Sequence, residues 1–173
     1  MTRRGFTFVE MMVVVVLIGI MLMTVSAFWA DVESTRSESA TRDVVSMLEY
    51  ARDRADSRDE FHYIIYDAPS DSLGVYTRGA SGMQVVNDVF TGEPLVISFG
   101  AASVPTHAQT KLADIHLGGY SLLAFDSDGV PRGSDAAGDN AAELRTTCGY
   151  TVQCADHAYR IEVKPITGLV EYQ

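Results

Sequence analysis

Within residues 3–23, RRGFTFVEMMVVVVLIGIMLM, one acidic side chain, Glu10, stands inside an apolar run. A carboxylate in hydrocarbon costs roughly a few kcal/mol on insertion scales, so it persists where a cationic partner or a task justifies it. Asp126 and Asp128, in DSDG, have Asp135 and Asp139 close by in sequence. Paired carboxylates with a following glycine can hold Ca²⁺, which takes roughly six to eight oxygens, but Gly129 sits fourth in the run where an EF-hand loop needs its glycine sixth. An Asx-stabilised hairpin turn accounts for the same residues more simply. Cys148 and Cys154, in CGYTVQC, lack the paired four-ligand clusters of a zinc site. They read as a disulfide if this part lies outside the cytoplasm, and otherwise as two separate thiols.

The remaining candidates for chemistry are sparse. His62, His107, His116 and His157 are isolated, and His62 and His116 fall in strand-like runs, so they read as surface or satisfied histidines. Cys148 with His157 is the nearest approach to a nucleophile and base, with no third group beside it. GASG at 79–82 falls short of a G-x-S-x-G elbow, and H-E-x-x-H, G-x-G-x-x-G and Walker patterns are absent. The expectation is a protein that is not an enzyme and needs no cofactor or metal.

The elements that position these residues divide sharply. Residues 11–30 are uncharged, and a bilayer needs about 20 such residues in a helix. The part from Asp31 onward holds all but two of the 13 basic residues and all but one of the 23 acidic ones, a poor match for nucleic acid. No proline precedes Pro69, so one helix is expected from near Phe6 to 55–58, about 75 Å long. ADVESTRSESATRD, 30–43, is polar all round and reads as a solvated spacer, with Glu38 and Arg42 paired at i, i+4. Ala40, Val44, Leu48, Ala51 and Ala55 then form one apolar stripe at helical period, and a stripe implies packing. Gly19 reads as a small residue that packs against another helix.

From Glu60 the pattern changes to short runs rich in Val, Ile, Tyr and Phe: EFHYIIYD, GVYTRG, QVVNDVF, LVISFG, ADIHLGG, YSLLAFD, AYRIEV and GLVEYQ. About seven to nine antiparallel strands are expected. Residues 100–119 read as loop-rich, and 133–142, GSDAAGDNAA, as the most flexible tract.

Three readings fit the N-terminus. A secretory signal would cut near Val25-Ser26-Ala27, but the apolar run is long for one. A plain anchor with Arg3 and Arg4 on the cytoplasmic side explains orientation and leaves Glu10 unexplained. The third reading explains both, because Gly5-Phe6-Thr7-Phe8-Val9-Glu10 resembles the processing site of type IV pilin-like prepilins. That resemblance implies cleavage by a prepilin peptidase between Gly5 and Phe6, N-methylation of Phe6, and pairing of the Phe6 amine with a neighbour's Glu10 during assembly.

The head adds a second resemblance. ARDRADSRDEFHYIIYD, an AFDSDGVP hairpin and a closing YRIEVKPITGLVEY pair are similar to minor pseudopilins of the GspH/FimT type. This implies an α+β fold: a long N-terminal helix packed on a small antiparallel β head made of two small sheets. The expected divisions are a leader at 1–5, a transmembrane and assembly helix at 6–30, an amphipathic continuation at 31–58, and a β-rich periplasmic head at 59–173. The resemblance also implies an inner-membrane, single-pass subunit of a type II secretion or type IV pilus machine. Its partners would be the peptidase, other pilin or pseudopilin subunits and an inner-membrane assembly platform. Members of the FimT type that bind DNA carry C-terminal arginines, whereas this chain ends ITGLVEYQ with no arginine after Arg160, so nucleic acid is not expected. The alternative is a membrane-anchored β head that binds DNA, calcium or a secreted substrate without polymerising.

Overall fold

The computed structural model describes residues 8–100, 104 and 107–173, and among the helix side chains all but 25–31. Gly5 and Phe6 lie outside the described residues. One helix, α1 (Phe8–Arg58), runs for 51 residues, about 76 Å at 1.5 Å per residue. It stops where Asp59 turns left-handed, at φ 56°. There the Glu60 N–H donates back to the Ala55 carbonyl at 3.3 Å, satisfying one of the helix's last acceptors.

The expected stripe is the packing face, since Ala40, Val44, Leu48, Ala51 and Ala55 are all fully buried. The solvated spacer is shorter than expected, because Ser37 and Thr41 are fully buried too. Both hydroxyls are spent inside the helix. Ser37 Oγ donates to the Ser34 carbonyl at 3.0 Å and Thr41 Oγ1 to the Ser37 carbonyl at 2.7 Å, so covering them orphans no donor. Glu38 and Arg42 pair on the exposed side at 2.6 Å.

Among the described residues eleven strands follow, more than the pattern of short apolar runs suggests. In the first sheet β1 (His62–Asp67), β2 (Ser72–Gly79), β3 (Gly82–Val85), β6 (Leu122–Phe125), β7 (Pro131–Ser134) and β8 (Ala142–Glu143) lie in the order β3-β2-β1-β6-β7-β8. β4 (Val96–Ser98) also pairs with β2, through Ser72 to Gly74. The second sheet takes β5 (Thr110–His116), β9 (Cys148–Cys154), β10 (His157–Val163) and β11 (Val170–Tyr172) in the order β11-β10-β9-β5. Every pairing is antiparallel.

Helix α1 touches both sheets, so one core is shared. Val44 and Leu48 share one buried cluster with Ile64, Val75 and Phe125 of the first sheet and Tyr150, Val152 and Ile161 of the second. Each large apolar side chain buried there contributes about 1.5–3 kcal/mol. The outer face of the first sheet carries a smaller cluster, Tyr63, Leu122 and Ala124. The tract expected to be flexible folds over it. Tyr63 Oη donates to the Gly138 carbonyl at 3.2 Å, Arg78 pairs with Asp139, and the Asp135 carboxylate accepts the N–H groups of Ala137 and Asp139. Its small, polar composition reflects a tight turn held by side-chain caps, which composition alone does not distinguish from a loose one.

Candidate functional site

Glu10 lies in the first turn of α1 with an exposed side chain. Every described large apolar side chain from Phe8 to Met23 is exposed, from 48% at Val14 to 78% at Met23. The same helix therefore has two environments: its C-terminal part is covered by the chain's own head, and the side chains of residues 8–24 are covered by none of the described residues. Leaving such a surface in water would cost roughly tens of kcal/mol, so lipid or other helices must cover it. Among the described residues no helix is long and apolar enough to cross a membrane. The uncharged run read from the sequence extends to Ala30, past the last apolar side chain described there, Met23. A Cβ at Gly19 would meet nothing within 4 Å, so no contact within the chain requires a glycine there.

The two acidic turns resolve as structure. The Asp126 carboxylate accepts the N–H groups of Asp128 (3.1 Å) and Val130 (2.8 Å) on Oδ1, and Nε–H of Arg132 (2.8 Å) on Oδ2. Arg132 also reaches Glu143 at 3.3 Å, tying the β6–β7 hairpin to β8. Burial opposes ionisation of Asp126, but the Arg132 hydrogen bond and the Val130 and Asp128 N–H groups outweigh it and hold the carboxyl below its ordinary value. These are the hydrogen bonds of the Asx-stabilised turn that the sequence favours over a calcium site. The Arg132 guanidinium takes the second carboxylate oxygen. Gly129 makes the turn at φ 70°, against the Arg52 side chain.

Cys148 and Cys154 are both free and buried. They sit at opposite ends of β9, and six steps along a strand separate them by about 20 Å. A disulfide spans about 4.4–6.8 Å between Cα atoms, so the expected bond does not form. Burial pushes the Cys148 thiol up to about 11. The alternation Cys148, Tyr150, Val152, Cys154, all buried, is the sequence signal for β9. Tyr150 lies beside Cys148 with its hydroxyl buried, and burial raises its pKa.

The histidines do not converge. His62 is buried on β1, its Nδ1 3.2 Å from the Glu60 carbonyl, and burial holds it below its ordinary value. His107 is buried, and its Nε2–H donates to the Asp43 carboxylate at 2.8 Å across 64 positions of sequence. That contact had no local signal. Residues 87–94, part of which resembled a strand, form a turn beside this pair, with Asp88 capping it and Phe90 at its exposed tip.

Taken together, a long helix covered over its C-terminal half by two antiparallel sheets, and uncovered over its apolar N-terminal half, defines a type IV pilin-like α+β fold. Residues 1–26 match the prokaryotic N-terminal methylation motif, which places Gly5, Phe6 and Glu10 inside the matched region. Among solved structures the fold is similar to that of the minor pseudopilin EpsH from the type 2 secretion system of Vibrio cholerae. The likeness has a TM-score of 0.54 at 16% identity and covers 80% of this chain and 96% of that one. No curated protein matches the chain in sequence.

Proposed function

We propose that the chain is a minor-pseudopilin-like structural subunit of a type II secretion or type IV pilus machine. The carrying observation is the uncovered apolar half of α1, with Glu10 at its start, on a pilin-like fold. A prepilin peptidase cuts between Gly5 and Phe6, and Phe6 is N-methylated. Residues 6–30 then hold the subunit in the inner membrane, with the N-terminus cytoplasmic and the head periplasmic. On assembly the same residues pack against the helices of other pilin or pseudopilin subunits, drawn from the membrane by an assembly platform. Glu10 supplies the one charge in that surface, and the Phe6 amine of a neighbour is its counterpart. Methylation keeps that amine cationic while weakening its hydration, which suits a charge buried among helices. The role is structural, and its chemistry is the covering of an apolar helix.

Intact mass and the N-terminal peptide, measured on protein from the membranes of its native cells, test this directly. The expected chain begins at methylated Phe6. A retained leader would mean a plain anchor, and a start at Phe28 would mean a secreted soluble domain. Glu10→Ala should abolish incorporation into filaments while membrane insertion and the folded head persist; incorporation at the wild-type level would refute the role given to Glu10.

A further inference from the structure

We propose that the turn at 87–94 and the acidic cleft beside it form a docking surface for the basic head of a neighbouring, different subunit, with Phe90 as the anchor. This rests on the reading of the chain as an assembling subunit. The turn is built to hold its tip in place. The Asp88 carboxylate accepts the N–H groups of Phe90 (2.6 Å) and Thr91 (3.1 Å), the Asp88 N–H donates to the Glu93 carbonyl (2.8 Å), and Asn87 bridges to Pro94. Gly92 closes it at φ 74°. At the tip Phe90 is 94% exposed and Val89 63%. An aromatic ring held clear of its own fold by a capped turn adds nothing to folding, and its ordering entropy is already spent before any partner arrives.

Beside the turn, a cleft of about 370 Å³ opens between it and α1. Met47, Leu95 and Ile97 give it apolar walls, and Asp43, Asp88 and Glu93 give it a negative rim. Asp53, exposed on α1, lies beside Val89, with Arg54 next to it. Such a rim selects Lys or Arg around an apolar pocket that accepts the ring, the arrangement of an aromatic hot spot with a steering border. It repels nucleic acid and anionic lipid. A second copy of this chain is a poor partner, because it carries the same acidic rim and a net charge of −10. Asp43 lies 33 residues from Glu10, about 50 Å along the helix, so this contact is between heads and separate from helix packing.

The test places a benzophenone amino acid at Val89 of the full chain in its native membranes. The expected adduct is with a different chain that carries its own N-terminal methylation motif, mapped to a peptide with Lys or Arg beside apolar residues. Its yield should fall at least tenfold with Phe90→Ser and severalfold with Glu93→Lys, while the unfolding midpoint of both variants stays at the wild-type value. An adduct with a second copy of this chain, an adduct indifferent to both substitutions, or none at all would overturn the proposal. The N-terminal peptide from the same sample separates the two failures. With methylated Phe6 present, a missing adduct counts against the docking surface alone; with the leader retained, the subunit reading itself fails.

Discussion

Replacing Asp126 with Ala removes the one carboxylate that holds the β6–β7 hairpin and, through Arg132, ties it to β8. Three hydrogen bonds are lost, at 3.1, 2.8 and 2.8 Å, all to a side chain only 6% exposed. Hydrogen bonds to a charged group are each worth about 1.5–3 kcal/mol when buried. Water replaces part of this at the turn and at Arg132, whose side chain is 26% exposed, so a net loss of about 2–4 kcal/mol follows. In a domain of this size that lowers the thermal midpoint by on the order of 10 °C. Asp126→Asn keeps the shape but loses the charge, and should fall between Ala and wild type. Because the folded Asp126 has a depressed pKa, its contribution is present above its unfolded value near 3.8 and is lost as pH falls through the folded value. The gap between wild type and Asp126→Asn should therefore close in acid. The assay is thermal unfolding of the full chain in detergent, followed by near-ultraviolet circular dichroism across pH, with and without millimolar Ca²⁺. A variant as stable as wild type at pH 7, or a calcium-dependent rise in wild type that Asp126→Asn abolishes, would refute the reasoning.

Leu48→Ala, at the centre of the buried stripe, should cost about 2–5 kcal/mol in denaturant unfolding, whereas Ser46→Ala on the exposed side should stay within about 0.5 kcal/mol. Equal effects would mean that α1 does not pack on the head through this face. With its thiol pushed up to about 11, only about one Cys148 in a thousand is ionised at pH 8. Iodoacetamide should leave Cys148 untouched in the folded chain and label both cysteines after unfolding without a reductant, and failure to label the unfolded, unreduced chain would reveal a bond that the strand geometry forbids.

What the sequence determined by itself is whatever a local period or a short spacing encodes. The stripe from Ala40 to Ala55 specifies a helix and the face it buries, because a 3.6-residue repeat puts those side chains on one line. The run from Gly5 to Glu10 carries the resemblance to prepilins within six residues, and DSDG marks a hairpin within four. Tertiary structure decided what depends on distant partners. Whether Ser37 and Thr41 face water or a sheet depends on how far the head reaches down the helix, since their hydroxyls are satisfied locally either way. His107 finds Asp43 only once the two, 64 positions apart, are brought together by the fold, and the 133–142 tract is ordered only because Tyr63, Arg78 and Met83 lie beneath it. The cysteines look close enough to bond until β9 is extended through both; pairing with β5 and β10 holds it straight and puts the thiols at its two ends. Contacts of this kind link residues tens of positions apart and leave no period in the chain, so they exist only once the two sheets have closed on the helix.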